Sequence, residues 1–189
     1  MKKIILAGVA GGVLMFIWSA VAWIAIPLHT STIAAMANED SVMAAMKTGM
    51  DRKTVYMFPA RPTSGGDAAM DAWKTKFSRG PIGIVFYSPV GSSASTEMAG
   101  EMAIGILDDI IVAMLAAWLL SRCTAARAGY FARVMFCGMI GVIICLFIHV
   151  GNWNWLMYPV DYTTGWILDT LVAWVAAGAG IAFFVKSPA

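Results

Sequence analysis

Four long apolar stretches, separated by polar segments, predict four membrane-spanning helices. A helix needs about 20 mostly apolar residues to cross the ~30 Å hydrocarbon core of a bilayer. Stretches of about this length lie at residues 1–28, 101–122, 134–150 and 163–186. The first follows a basic pair, as a signal peptide does, but its apolar run exceeds the roughly 7–15 residues of a signal h-region. We therefore interpret it as a retained helix and the fold class as all-α, a four-transmembrane-helix bundle.

The polar segment between the first two spans, residues 29–100, predicts a small α+β insert. Asn38 and Asp67 can each cap a short helix. Residues 54–58 and 82–87 are β-branched and aromatic runs bounded by proline, which is typical of strands. Two short strands and two short helices bury too little surface to be stable alone. We expect the insert to lie on the helices, on the membrane surface or on another protein.

The placement of charge predicts how the helices are oriented. Charged residues make up 13% of the chain, about half the roughly 25% of a soluble domain. The ends of the predicted spans on one side of the membrane are flanked by basic residues without acidic neighbours: Lys2, Lys3, Arg122, Arg127, Arg133 and Lys186. Lysine and arginine accumulate on the cytoplasmic side of a membrane. We therefore expect both termini in the cytoplasm and the insert outside it.

Several function classes have no support in the sequence. The three cysteines lie outside the segments placed beyond the membrane, so no disulfide framework can be read from them. No G-x-x-x-x-G-K-[ST] or G-x-G-x-x-G pattern occurs, which disfavours a nucleotide partner. Basic and acidic residues balance in the insert, which argues against a nucleic-acid partner. The bilayer itself and other membrane proteins are the partners that remain.

Small residues predict where the helices approach one another, since they let helix backbones come close in lipid. The candidate packing positions are Gly8, Gly12, Gly105, Gly141 and Gly165. The second and fourth spans match at an offset of 60, as in Asp109 and Asp169, and the first and third at 120. These matches predict a 2+2 parallel repeat about an axis along the membrane normal.

Ionisable residues inside the spans are the candidate functional groups, because a charge near the bilayer centre costs about 2.5–3.5 kcal/mol on insertion scales. They are Glu101, Asp108, Asp109, His149 and Asp169. Helical rise places Asp109 about 4 Å and Asp169 about 8 Å outward of midspan. We expect all five side chains to collect in the outer half of the bundle, with the aspartates facing its interior or water, or staying protonated.

These residues allow several chemistries. The cluster could pass protons or bind a cation, His29 and His149 could ligate one haem, or both histidines and the aspartates could hold a metal ion. Methionines in and around the insert could bind Cu(I) through their thioethers, although methionine more often provides adaptable packing. The plainest interpretation is that the polar groups bond to one another and fix the packing, without a cofactor.

Short motifs spread over the chain resemble a group of small uncharacterised bacterial inner-membrane proteins. The motifs are W-S-A-V-A-W-I-A-I-P-L-H-T-S-T, N-E-D-S-V, V-Y-M-F-P and N-W-N-W. The resemblance implies a four-helix protein of the bacterial inner membrane with a periplasmic insert. It supplies no reaction, so the matched positions carry no assigned roles: Trp18, Pro27, His29, Asn152 and Trp153.

The small-residue helix faces, the thin insert and the lack of a catalytic grouping favour one functional hypothesis. We expect a non-enzymatic membrane subunit that is accessory to, or assembles with, a larger inner-membrane complex. A small proton- or cation-linked transporter or channel is the alternative, and a haem-binding membrane redox protein is a third class.

Overall fold

The computed structural model describes residues 1–91 and 94–186, without the side chains of residues 94–97. It divides into two compact units, a helical unit of Met1–Ala34 with Ser93–Ala189 and an insert unit of Ala35–Ser92. The predicted insert, residues 29–100, extends beyond the insert unit at both ends. His29 packs with the long helices, and the second of these helices begins before residue 100.

Among the described residues, the helical unit contains four long α-helices, one short α-helix and several short turns, and the insert unit has two helices and two strands. In the helical unit, α1 is Lys2–Ala20 with a π-helical turn at Val21–Ala25, α4 is Ala94–Arg122, α5 is Tyr130–Ile144 with a π-helical segment at Cys145–Val150, α6 is Gly151–Leu156 and α7 is Val160–Phe184. Short 3-10 turns lie at Thr30–Thr32 and Thr124–Arg127. In the insert unit, α2 is Glu39–Gly49, β1 is Thr54–Phe58, α3 is Gly66–Arg79 and β2 is Gly83–Tyr87.

Four continuous helical stretches are long and apolar enough to cross a membrane. They are Lys2–Ala25, Met98–Arg122, Tyr130–Leu156 and Val160–Phe184, with 24 to 27 residues each. At ~1.5 Å per residue they are about 36–40 Å long, which exceeds the ~30 Å hydrocarbon core. The prediction of a mostly helical, multi-pass membrane protein is confirmed.

The helices that contain the later spans have other bounds than the predicted spans, because they run on into polar and aromatic residues. The third span was expected at residues 134–150 but is helical from Tyr130 to Leu156. The connection after it shrinks to Met157–Pro159, where Met157 adopts a left-handed conformation. The second span begins before residue 101, and the fourth covers Val160–Phe184 rather than 163–186. A helix satisfies its own backbone hydrogen bonds, so it continues past the apolar core into the interface.

The four spanning helices form a row rather than a closed bundle. Helix α1 packs between α4 and α7, and α7 also packs against α5, whereas α4 touches α5 and α7 only marginally. The order is α4–α1–α7–α5, and neighbouring helices are antiparallel. One end of the row therefore carries Lys2, Arg122, Arg133 and Lys186, and we call it the basic end.

Glycines on α1 and α7 allow the closest helix contacts. A Cβ atom on Gly12 would lie 2.6 Å from the Cα and backbone N of Ile110, and one on Gly180 would lie 2.9 Å from the backbone of Ala10. The predicted packing glycines Gly8, Gly141 and Gly165 also lie in close contact with a neighbouring segment. Gly105 does not, because its nearest neighbour is a ring atom of Phe16 at 4.0 Å.

The helix contacts do not follow the offsets that predict the 2+2 repeat. In the first helix pair Gly8 packs against Met114. A repeat with offsets of 120 and 60 would therefore place Ala128 against Trp174 in the second pair. Trp174 instead packs on Gly141 of α5, which lies 13 residues after Ala128. Both pairs are antiparallel, as a repeat requires, but their registers differ, so the repeat stays a prediction.

The insert unit has regular secondary structure but no buried residue among residues 35–91. Strands β1 and β2 pair antiparallel, with Val55 opposite Phe86 and Met57 opposite Ile84. The Tyr56 hydroxyl donates to Asp51 Oδ1 at 2.9 Å, and this bond lowers the pKa of that carboxyl below its ordinary value. The unit is therefore held by local pairing and not by a core.

The predicted elements of the insert are confirmed with small shifts. Asn38 lies at the N-cap position of α2, but its side chain makes no capping hydrogen bond. Helix α3 begins one residue before the expected cap Asp67, because Gly65 takes the left-handed N-cap position. On α3 the rings of Trp73 and Phe77 lie 5.2 Å apart, as their spacing predicts.

We expect Gly12→Ala to destabilise the helical unit and Gly105→Ala to be tolerated. The new methyl group at position 12 meets backbone atoms that cannot move away, and overpacking of this kind costs about 1–3 kcal/mol. At position 105 there is room, and alanine favours the helix by up to about 1 kcal/mol. Unfolding by SDS titration in mixed micelles measures both variants. Equal stability of the two would contradict this account of α1 packing.

Candidate functional site

A buried carboxylate on α7 is the best-defined polar site in the part of the chain that the structure describes. Asp169 Oδ1 accepts a hydrogen bond from Trp18 Nε1 of α1 at 2.6 Å, and Oδ2 lies 2.9 Å from Nε2 of His29. His29 is 1% exposed and Asp169 8%. The three side chains, here called the Asp169 cluster, join α1, the segment after it and α7.

The path of the backbone after α1 places His29 next to α7. After the π-helical turn, Ile26 is extended, as expected for a residue before proline, and the helix ends there. The chain then passes over α7, where a Cβ atom on Gly165 would lie 3.1 Å from the carbonyl oxygen of Leu28. The small residue one turn before Asp169 thus lets His29 reach the carboxylate.

Aromatic rings enclose the His29 imidazole. Trp23 stacks on it with ring centroids 4.5 Å apart. The ring of Trp166 on α7 is tilted relative to the imidazole, and the two centroids lie 4.4 Å apart. His149 faces Trp166 as well, at 6.1 Å, and its Nε2 lies 2.8 Å from the Thr170 hydroxyl. Each histidine therefore has its own partner on α7, and Trp166 contacts both rings.

The Asp169 cluster is chemically closed. The Trp18 indole N–H is a donor only, so Asp169 Oδ1 accepts from it, while Oδ2 bonds to the imidazole of His29. Among the described residues no buried side-chain nitrogen or oxygen lacks a hydrogen-bond partner. A haem held by His29 and His149 would require both Nε2 atoms to leave Asp169 and Thr170. The arrangement favours a fixed polar link between helices.

A second site is a groove between α1 and α4, on the side of the Gly12 contact away from the basic end. Its volume is about 570 Å³. From α1 and its π-helical turn it is lined by Phe16, Ser19, Ala20, Trp23 and Ile24, and from α4 by Met98, Glu101, Met102, Gly105, Asp108 and Asp109. The two helices touch closely at Gly12 and are separated at Gly105, which opens the groove.

The carboxylates of the groove are not enclosed by the protein. Asp108 is exposed, Glu101 is exposed and Asp109 is half-buried. Asp108 lies two residues, about 3 Å, from the midpoint of the apolar helix Met98–Arg122. A carboxylate facing lipid at such a depth is costly. Protonation, water, a cation or a polar group of another molecule in the groove would remove that cost.

The structure divides the predicted polar cluster into three places. Asp169 is buried with His29, His149 bonds to Thr170, and Glu101, Asp108 and Asp109 line the groove. Asp109 and Asp169 lie only about 2 Å and 5 Å from the midpoints of their helices, because these helices begin three residues earlier than predicted.

Sequence reasoning named Trp18 only as a motif position without a role, and it did not single out Thr170 or Trp166. A buried aspartate needs donors, and the indole of Trp18 on the first span was an available signal. Thr170 and Trp166 carry no such signal, because their roles depend on how α7 is rotated against α5. In the described residues no three His, Cys, Asp or Glu side chains come together as a metal site, which leaves the histidine–aspartate metal hypothesis without support.

We expect Asp169→Ala to destabilise the helical unit by about 1–3 kcal/mol, because His29 and Trp18 lose their acceptor in a buried setting. Asp108→Ala is the matched control, since Asp108 is exposed on a spanning helix and bonds to no described residue. SDS titration of both variants gives the difference. If Asp108→Ala costs as much as Asp169→Ala, the cluster is not the link described.

Comparison with known proteins adds no family to this geometry. No protein-family model, curated protein or solved structure matches the chain significantly. The resemblance to small bacterial inner-membrane proteins therefore stays a prediction, and function is argued from the sites themselves.

Proposed function

We propose that the protein is a non-enzymatic integral membrane subunit that assembles with a larger membrane complex. The observation that carries this proposal is the insert unit, in which residues 35–91 have helices and strands but no buried residue. Folded segments normally bury apolar surface to offset the entropy of ordering the chain. A segment without a core of its own gains that burial from another surface.

One face of the β1–β2 hairpin is suited to such a contact. Val55, Met57, Ile84 and Phe86 lie on the same face, paired in the antiparallel register. Val55 is 53% exposed and Phe86 69% exposed. Alternation along a strand usually gives one polar face, and an apolar face of this kind marks an interaction surface.

The row of helices supports assembly from inside the membrane. Only 22–33% of each spanning window is buried, and α4 and α5 at the ends of the row have a neighbour on one side only. On α4, the groove presents exposed Asp108 near mid-helix. Lipid disfavours that carboxylate, whereas a polar group on a partner helix stabilises it.

The alternative, a proton- or cation-linked transporter, is favoured by the same groove carboxylates. The helical core nearer the basic end argues against a path through the unit, because it consists of side chains such as Ala113, Ala117, Leu120 and Ile181. A pH-dependent flux that is lost in Asp109→Asn would favour the transporter over the subunit.

The topology that accompanies this proposal follows the positive-inside rule. The basic end faces the cytoplasm, both termini are cytoplasmic and the insert unit is periplasmic, in the inner membrane of a bacterium. The proposal does not depend on a 2+2 repeat.

We expect the double variant Val55→Thr/Phe86→Thr to lose its partner while the helical unit stays folded. Threonine keeps strand propensity, but the lost apolar burial is worth about 1.5–3 kcal/mol per large side chain. Recovery of co-purifying protein from native membranes in mild detergent should fall at least about tenfold.

The control for this experiment is Val90→Thr, the same chemical change at a residue that is 76% exposed and lies beyond β2. It should leave recovery unchanged. A wild-type chain that purifies as a stable, monodisperse species of 20.2 kDa without any companion would contradict the proposed function.

The proposed orientation can be measured with a native cysteine. Cys123 lies beside Arg122 at the basic end and is exposed, whereas Cys137 and Cys145 are buried. We expect a membrane-impermeant maleimide to label Cys123 in inside-out vesicles and not in spheroplasts. Labelling of spheroplasts would invert the topology.

A further inference from the structure

The basic end contains a pocket whose charge has no counterpart among the residues that line it. The pocket has a volume of about 330 Å³ and lies between the C-terminal ends of α4 and α7 and the turn after α4. Three cations line it, Arg122, Arg127 and Lys186, together with the hydroxyl-bearing residues Ser121 and Thr124. No acidic residue lines it.

Helix ends account for only part of this charge. Arg122 lies in the last turn of α4, where a cation interacts favourably with the helix dipole. Lys186 follows the end of α7, and Arg127 is the last residue of the short 3-10 turn Thr124–Arg127, so neither lies in the last turn of an α-helix. The salt bridges in the described part of the chain, His29–Asp169 and Lys74–Asp71, include none of the three cations. Three like charges around one cavity stabilise a bound anion.

The side chains around the pocket also indicate its depth in the membrane. The Arg122 guanidinium lies 5.8 Å from the Trp118 ring, and Lys186 Nζ lies 5.4 Å from the Phe183 ring. Trp118 is 46% exposed and Phe183 63%, both on spanning helices. The cations therefore lie where the apolar surface of the spanning helices ends, which is the level of lipid headgroups.

We infer that this pocket binds the phosphate group of an anionic phospholipid. Arginine forms paired hydrogen bonds with phosphate oxygens, the Thr124 hydroxyl adds a donor, and the exposed rings of Trp118 and Phe183 provide apolar surface for the acyl chains. Basic pockets between spanning helices are suited to such headgroups. This inference goes beyond the proposed function and needs no partner protein, only a membrane position.

Native mass spectrometry of the full chain tests the inference in nanodiscs that contain equal amounts of phosphatidylglycerol and phosphatidylcholine. We expect selective retention of phosphatidylglycerol. Arg127→Gln and Lys186→Gln should each lower that selectivity roughly fivefold, the effect of one basic residue near an anionic surface. Lys3→Gln removes a charge from the same end without touching the pocket and should change nothing. Equal retention of both lipids, or equal effects of all three substitutions, overturns the inference.

A second measurement distinguishes binding of a lipid from binding of a free anion, and it uses the wild-type chain. Cys123 lines the pocket, and an environment-sensitive dye attached there should shift to the blue with phosphatidylglycerol vesicles but not with phosphatidylcholine vesicles. Inorganic phosphate should neither cause the shift nor reverse it. If inorganic phosphate alone reproduces the shift, the ligand is free phosphate, and the lipid assignment is wrong.

Discussion

The close packing of α1 between α4 and α7 is the constraint on which the helical unit depends. Helix α1 packs extensively on both neighbours, as α7 does on α1 and α5, and both contacts of α1 require glycine at the crossing. Lipid offers no hydrophobic driving force for helix association, so tight van der Waals contact has to provide it. The Asp169 cluster adds a directional link to this contact, since Trp18 and His29 reach one carboxylate on α7 from either side of the end of α1.

The packing of α1 also divides the polar side chains into buried groups that are hydrogen-bonded and groups that remain exposed in the groove. On the α7 side of α1, the contact is closed and every buried polar atom among the described residues is paired. On the α4 side, the helices meet at Gly12 and diverge beyond it, which leaves Asp108 and its neighbours open in the groove. Carboxylates of similar depth in the helices thus serve different purposes. Asp169 links α7 to α1 and to the segment after it, whereas Glu101 and Asp108 are exposed in the groove.

The surfaces left uncovered by the helical row and by the insert differ in chemistry. The hairpin face is apolar, the groove combines apolar and acidic residues, and the basic end collects cations. These open surfaces support the proposal of a subunit that contacts a protein through the hairpin and lipid headgroups at the basic end.

The sequence by itself determined the four spans, their alternating direction and the elements of the insert, because hydropathy over about 20 residues and local turn chemistry decide these. Tertiary structure alone decided that Asp169 pairs with His29, that Gly105 stands free and that the helices form an open row. These features depend on how each helix is rotated and how far it slides along its neighbour. A shift of one residue turns a helix by about 100°, and an apolar pattern that is nearly uniform around the helix does not specify that rotation.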